Sequence, residues 1–202
     1  MRIKCSLHNH TCMSDGYFTP HGLLRYLKDE GYDVVAITDH NVVTVPHPLQ
    51  RQGVEDLLLI NGVEVTFPSI HIVALEPLVM NKGMVELFRS CKVGWIAHPT
   101  FSGLEPEWCR TFCKGNYLDG VELYNSGMTA KPFIDNWDLN FYAGDDLHVP
   151  SQVFTSWIEM DVRRLDKELI LEKLKCGEYE LFNDPKEIDF GLLEFSLTEG
   201  LK

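Results

Sequence analysis

Short apolar runs alternate along the chain with stretches whose apolar residues recur at helical spacing. Residues 3–7 are the first such run and read as a strand. A helix is predicted over 20–30, capped by Thr19, with Pro20 at its first position and Gly31 past its end. Leu23, Leu24 and Leu27 give that helix one buried face. Residues 33–38 read as a fully buried strand ending in Asp39-His40, and a linker with Pro46 and Pro48 leads to a weak helix over 49–56. Residues 57–60 lead into Gly62-Val63-Glu64-Val65, and the run 70–75 carries His71 near its start. The pattern continues as helix 84–91, strand 93–97 ending in His98-Pro99, helix 106–113 and strand 120–124 ending in Asn125. Strand 140–143 then runs into Gly144-Asp145-Asp146-Leu147-His148, followed by strand 154–160 and helix 167–175, closed by Gly177. One or two terminal strands are predicted over 188–197. This alternation implies an α/β fold with a mainly parallel sheet and helices outside it. With no repeat, low-complexity tract or long linker, 1–202 is expected to be one domain, its barrel over about 1–165 and its closing helix and strands over about 166–202.

At 202 residues and 45% hydrophobic content the chain can bury a sizeable core. It has no run of 18 apolar residues, so no membrane span is expected. The first strand starts directly, without a signal-peptide layout, which makes the cytoplasm the expected location. In that setting the six cysteines are expected as thiols. Cys109 and Cys113 are four apart but lack a second pair, and read as packing residues rather than zinc ligands. A net charge of −12 argues against binding a nucleic-acid backbone, so no stable nucleic-acid complex is expected. Bound cations would cancel part of that charge.

The histidines supply the chemistry. Six of the eight lie in comparable settings, at or just past the end of an apolar β-like run. His8 and His10, at i and i+2 on a strand, point to one side and can reach one cation, while Asp15 on the next turn can reach a neighbouring one. A multinuclear metal site at the strand ends of an α/β barrel follows, where the loops converge. His21 and His47 read as surface residues, with His47 a candidate for the mouth. Trp95, Trp108, Trp137 and Trp157 read as core or interface aromatics, with Trp108 or Phe101 the candidates for substrate contact.

His8-Asn9-His10, Ser14-Asp15-Gly16, Thr38-Asp39-His40-Asn41, Gly62-Val63-Glu64, His71, Ala97-His98-Pro99 and Gly144-Asp145-Asp146-Leu147-His148 resemble the successive motifs of the PHP (polymerase and histidinol phosphatase) family. The resemblance runs in order from about residue 3 to residue 150. It implies a distorted (βα)7-type barrel with up to three divalent metals, Zn, Mn or Fe, at the C-terminal ends of its strands. His8, His10, Glu64 and Asp146 would hold the first; Asp15, His40 and His148 the second; and a bridging Glu64, with His71 and His98, the third. Imidazole nitrogen and carboxylate oxygen suit these metals independently of the family. Spacing to His148 favours Asp146 over Asp145, where the family usually has Ser or a small residue. Asp39 and Asn125 would orient ligands or substrate, and Glu64 and Asp146 would serve catalysis directly.

The implied function is hydrolysis of a small phosphomonoester or nucleotide by hydroxide generated at the metals. The expected partner is a small phosphorylated molecule. The expected loops around the mouth, 41–46 and 100–103, contain no Arg or Lys, and Lys131 is the nearest basic residue after Asn125. Residues 157–160, 166–174 and Gly177-Glu178-Tyr179 are also similar to the closing segment of the CehA/McbA-like branch, which keeps an ester, amide or carbamate hydrolase as an alternative. A non-catalytic, metal-stabilised binding domain is the third reading. The short run from His40 to Glu64 leaves no room for a substrate-covering insert, so an open site is expected.

Overall fold

In the computed structural model, which describes residues 1–46, 53–78, 83–135 and 137–186, the apolar runs become one curved sheet. The first half holds β1 (Arg2–Ser6), α1 (Pro20–Asp29), β2 (Val34–Ile37), β3 (Leu58–Phe67), β4 (Ile70–Leu75), α2 (Met84–Arg89) and β5 (Val93–Ala97). The second holds α3 (Pro106–Asn116), β6 (Gly120–Asn125), β7 (Met128–Thr129), β8 (Asn140–Gly144), β9 (Ser156–Asp161), α4 (Lys167–Cys176) and β10 (Glu180–Asn183). Local chemistry sets the helix ends. Thr19 Oγ1 accepts the Gly22 N–H at 3.1 Å, the Asp166 carboxylate accepts that of Leu169 at 3.0 Å, and Gly177 ends α4 at φ 72°. The predicted terminal strands, 188–197, and the first half of the weak helix, 49–52, lie outside the described residues, as does His47, and residues 53–56 form turns rather than helix.

The strands run in the order β10-β9-β1-β2-β3-β4-β5-β6-β7, with β8 also on β6. Past β8 the chain returns to β1: the His10 N–H donates to the Leu147 carbonyl at 3.0 Å, and the Leu147 N–H to the His8 carbonyl at 3.3 Å. The sheet is thereby a nearly closed barrel. The expectation of a mainly parallel sheet needs correction. β1–β2, β2–β3, β5–β6 and β6–β8 are parallel, whereas β3–β4, β4–β5, β6–β7, β1–β9 and β9–β10 are antiparallel. The physical reason is loop length. Only Pro68 and Ser69 separate β3 from β4, enough for a hairpin but too few for a parallel crossover. β10 was not foreseen, because its edge position leaves it mostly half-buried and without a clean apolar face. Phe154, expected in a strand, instead precedes β9 at φ 55° and stacks on Tyr32 at 4.6 Å.

One core cluster fills the barrel with alternate residues of its strands, including Ile3, Cys5, Ala36, Trp95 and Tyr142. Ile170, Leu171 and Leu174 of α4 belong to it, and Lys167–Glu76 (2.9 Å) and Lys92–Glu168 (2.6 Å) tie α4 to the chain after β4 and before β5. α4 thus closes the end of the barrel where β5 begins. Outside the sheet, α1 packs on β2, and α2 and α3 pack on β4–β6 with Cys109 and Cys113 buried between them. No helix among the described residues is long and apolar enough to cross a membrane.

Trp95 is fully buried and stacked on Tyr142 at 4.3 Å, whereas Trp108 on α3 is exposed. Urea titration of Trp95→Ala is expected to show a loss of about 3–5 kcal/mol. The same titration of Trp108→Ala should show less than about 1 kcal/mol; equal losses would contradict this placement of the core.

Candidate metal centre

The centre is built where β2, β3 and β5 end. Beyond β1, His8 and His10 point inward while Asn9, between them, faces the barrel wall. Its amide donates to the carbonyls of Ala36 (2.8 Å) and Ser6 (3.0 Å) and accepts from the Ser6 hydroxyl (2.8 Å), which fixes the two imidazoles on either side. Gly144 gives His8 its space, since a Cβ there would stand 2.6 Å from His8 Cβ. The next loop turns at Gly16, packed against the His10 carbonyl, and presents Asp15. The Asp39 carboxylate braces this loop from behind, accepting from the Thr11 N–H (2.6 Å), the Thr11 hydroxyl (2.7 Å), the Ser14 hydroxyl (2.8 Å) and the Thr44 hydroxyl.

His40, just past β2, bridges to Glu64 on β3, and the Asn41 N–H donates to the Glu64 carbonyl at 2.9 Å. His71 is the second residue of β4. It reaches the site because β4 runs antiparallel, so that its start lies beside the end of β5. The expectation that every such histidine follows a strand is corrected here. His98 and Asp146 sit just past β5 and β8 at φ 28° and 49°, a region costly for residues with a Cβ. Bonds hold both in place: the His98 N–H donates to Glu122 Oε2 (2.9 Å), and the Asp146 carbonyl accepts from Gln152 Nε2 (2.7 Å).

All nine residues singled out from the sequence as ligands converge. His8 Nε2 and His10 Nε2 lie 3.3 and 3.1 Å from Glu64 Oε2, and 3.4 and 3.3 Å from Asp146 Oδ1. These four atoms are buried and none has a hydrogen-bond partner. Four donors at about 2.0–2.1 Å from one tetrahedral ion stand about 3.3–3.4 Å apart, and this donor set fits that spacing. Asp15 forms a second group with His40 (3.5 Å), His148 (3.3 Å) and His10 (3.5 Å). Glu64, His71 and His40 form a third, with His71 Nδ1 2.9 Å and His40 Nδ1 3.1 Å from the carboxylate. His98 Nε2 lies 3.0 Å from Glu64 Oε1 but outside that third group. The geometry therefore adds His10 to the second expected set and His40 to the third.

Charge balance follows from this crowding. Burial opposes a charge on His10, but Asp146 and Glu64 outweigh it and raise its pKa to about 9. Burial also opposes ionisation of Glu64 and Asp146, yet the surrounding histidines hold both well below the usual carboxylate range. Asp145 behaves differently. It turns away to accept from the Tyr32 hydroxyl (2.6 Å) and the N–H groups of Thr155 and Ser156 (2.9 and 3.0 Å), and burial pushes its pKa up to about 6.

Asn125 donates to Glu122 Oε2 (2.9 Å) and stands 3.4 Å from Asp146 Oδ2. Sequence reasoning missed Glu122, the one acid inside the apolar strand β6. It is buried, and its Oε1 lies 2.7 Å from His8 Nδ1. A carboxylate there holds the proton on Nδ1 and leaves the Nε2 lone pair facing the cluster. Also missed were Thr66, whose hydroxyl meets His40 Nδ1 at 2.7 Å, and Gln152, which accepts from the His148 N–H at 2.7 Å. A cavity of about 590 Å³ opens over the centre, and Lys186 is the one cation lining it among the described residues; Lys131 is not in its wall. Phe101 lines the cavity and Trp108 does not; Trp108 stacks on Phe112.

No protein-family model matches the chain, and no curated protein matches it significantly. Solved structures do. A two-domain Bacteroides vulgatus protein containing a predicted PHP-like metal-dependent phosphoesterase aligns with a TM-score of 0.70 at 21% identity, over 91% of this chain and 65% of that one. The chain thus spans just under two thirds of that relative. A Bifidobacterium adolescentis protein predicted to be a metal-dependent phosphoesterase aligns with a TM-score of 0.57 at 15% identity, over 86% of this chain and 96% of its own. A Chromobacterium violaceum amidohydrolase, solved with sulfate and no metal, gives 0.55 at 15% identity, over 73% and 88%. At these identities the likeness establishes the PHP-like barrel fold.

Glu122→Gln is expected to weaken zinc binding by about 10–100-fold while circular dichroism shows a retained fold, because an amide can donate to His8 Nδ1 and turn the proton onto Nε2. Unchanged affinity in a zinc-competition titration would show that something else orients His8.

Proposed function

We propose that this chain is a metal-dependent hydrolase of small phosphomonoesters or nucleotides, working with up to three divalent ions, Zn, Mn or Fe. One observation carries the reading: four buried donor atoms, His8 Nε2, His10 Nε2, Glu64 Oε2 and Asp146 Oδ1, face one another without a hydrogen-bond partner. Unpaired buried polar atoms are costly, and two carboxylates with two imidazole nitrogens, once these give up their protons, are a hard-to-borderline donor set for such ions. Asp15, His40 and His148 would hold a second ion with His10 at its edge, and Glu64, His71, His40 and His98 surround the position for a third.

Bound there, divalent ions would lower the pKa of water toward about 7 and neutralise charge on a phosphoryl group. The protein's own groups do the rest. Glu64 and Asp146 stay ionised against their burial, Glu122 keeps the His8 proton on Nδ1, and Asp39 sets the position of the Asp15 loop. Asn125, in the cavity wall, can donate to a substrate oxygen once Asp146 is engaged elsewhere. Lys186 at the mouth can meet a non-bridging phosphate oxygen.

A second reading, hydrolysis of an ester, amide or carbamate, is favoured by the single cation among the described residues of the cavity wall and by the likeness to an amidohydrolase fold. Inhibition separates the two, since inorganic phosphate competes with a phosphoester substrate and not with an amide.

Protein reconstituted with Mn or Zn is expected to release phosphate from phosphomonoesters. Glu64→Ala and His10→Ala should each lower kcat/KM by at least about 100-fold with the fold retained. Undiminished turnover in both variants would overturn the mechanism, and turnover of aryl esters alone would select the second reading.

A further inference from the structure

We infer that the substrate's leaving group is aromatic and that a side pocket beside His98 receives its ring; this inference rests on the phosphoesterase reading above. The pocket, about 170 Å³, shares His98, Phe101, Asn125 and Met128 with the main cavity and extends between Leu123 and Ala130, with Thr100 and Glu122 as its further polar lining. An apolar cavity of about 150 Å³ holds one benzene ring, so the volume suits a single six-membered ring. Its place also fits. His98, whose Nε2 lies 3.0 Å from Glu64, lines both spaces, so a ring seated against it adjoins the cavity over the candidate metal ligands.

The chemistry of the walls points to a flat, polarisable partner. Phe101 is 81% exposed although it sits three residues after His98, where its ring meets the imidazole edge to face at 6.0 Å. Met128, on the opposite strand β7, is 54% exposed. A phenyl ring and a thioether both favour an aromatic guest over an alkyl chain. Exposed apolar side chains that line one pocket together, as these two do, mark a ligand groove rather than scattered surface residues. The wall also bears on the rest of the substrate: among the described residues Lys186 is the one cation lining it, which suits a single phosphoryl group better than a di- or triphosphate.

Binding of non-hydrolysable phosphonates tests this without turnover. Isothermal titration of the zinc-loaded protein with benzylphosphonate and ethylphosphonate should give an affinity about tenfold higher for the benzyl compound. Phe101→Ala should narrow that preference to below about threefold, and Ala130→Leu, which fills the pocket from its floor, should narrow it as well. Equal affinities in the parent protein, or a preference that survives both variants, would overturn the aromatic pocket while leaving the phosphoesterase reading intact. Failure of both phosphonates to bind zinc-loaded protein would overturn that reading, and this inference with it.

Discussion

A single buried carboxylate constrains this fold more than any other group. Glu64 is fully buried on β3, and the imidazoles of His8, His10, His40, His71 and His98 all approach it to within 2.9–3.3 Å. Removing one carboxylate charge from water costs several kcal/mol. Positive charge from protons or metal ions must therefore be gathered around it. No one element can supply five imidazoles to one point, so they come from β4 and from the chain just past β1, β2 and β5. Barrel curvature is what brings those places together, and the site and the fold have one cause.

The same requirement accounts for two of the backbone positions at positive φ. His98 and Asp146 reach the centre only with positive φ, and the bonds from Glu122 and Gln152 that fix them come from outside the ligand set. Glu122 serves two ligands at once, His8 through its ring and His98 through its backbone. Asp39 does comparable work for the Asp15 loop without touching the ligand atoms. A charge-rich centre in an apolar barrel is thus held by polar groups that surround it, Glu122, Gln152 and Asp39 among them.

The candidate ligands were legible because their signals are local. His8 and His10 share a face by the two-residue period of extended chain, and the two-residue spacing to His148 selected Asp146, which the structure turns inward while Asp145 turns to Tyr32. The caps of α1 and α4 were local too. What the sequence hid depends on partners far along the chain. The direction of β4 is decided by the two-residue turn at Pro68-Ser69, and only that direction brings His71, at a strand's start, to the site. Glu122 looks like an isolated charge in β6 until His8, 114 residues earlier, is placed against it. Lys186 follows the unforeseen edge strand β10, so its approach to the mouth could not be read from spacing.

The two ends of the barrel divide its tasks. α4 closes one end with Ile170, Leu171 and Leu174, and the apolar interior stacked around Trp95 and Tyr142 gives the strands a rigid base. At the other end every candidate ligand but Asp15, which the Asp39 carboxylate braces through its loop, stands on or within a few residues of a strand that this base immobilises. The cavity wall above comes from the segments around the strand ends, and among the described residues it includes Phe101, Met128 and one lysine. Charge is concentrated at the floor, where the Glu64 and Asp146 carboxylates draw the imidazoles around them. The wall above carries the exposed apolar side chains of Phe101 and Met128. That separation of charge below from apolar contact above is set by the barrel itself, since only groups anchored at the strand ends can be held rigidly enough to share a buried charge.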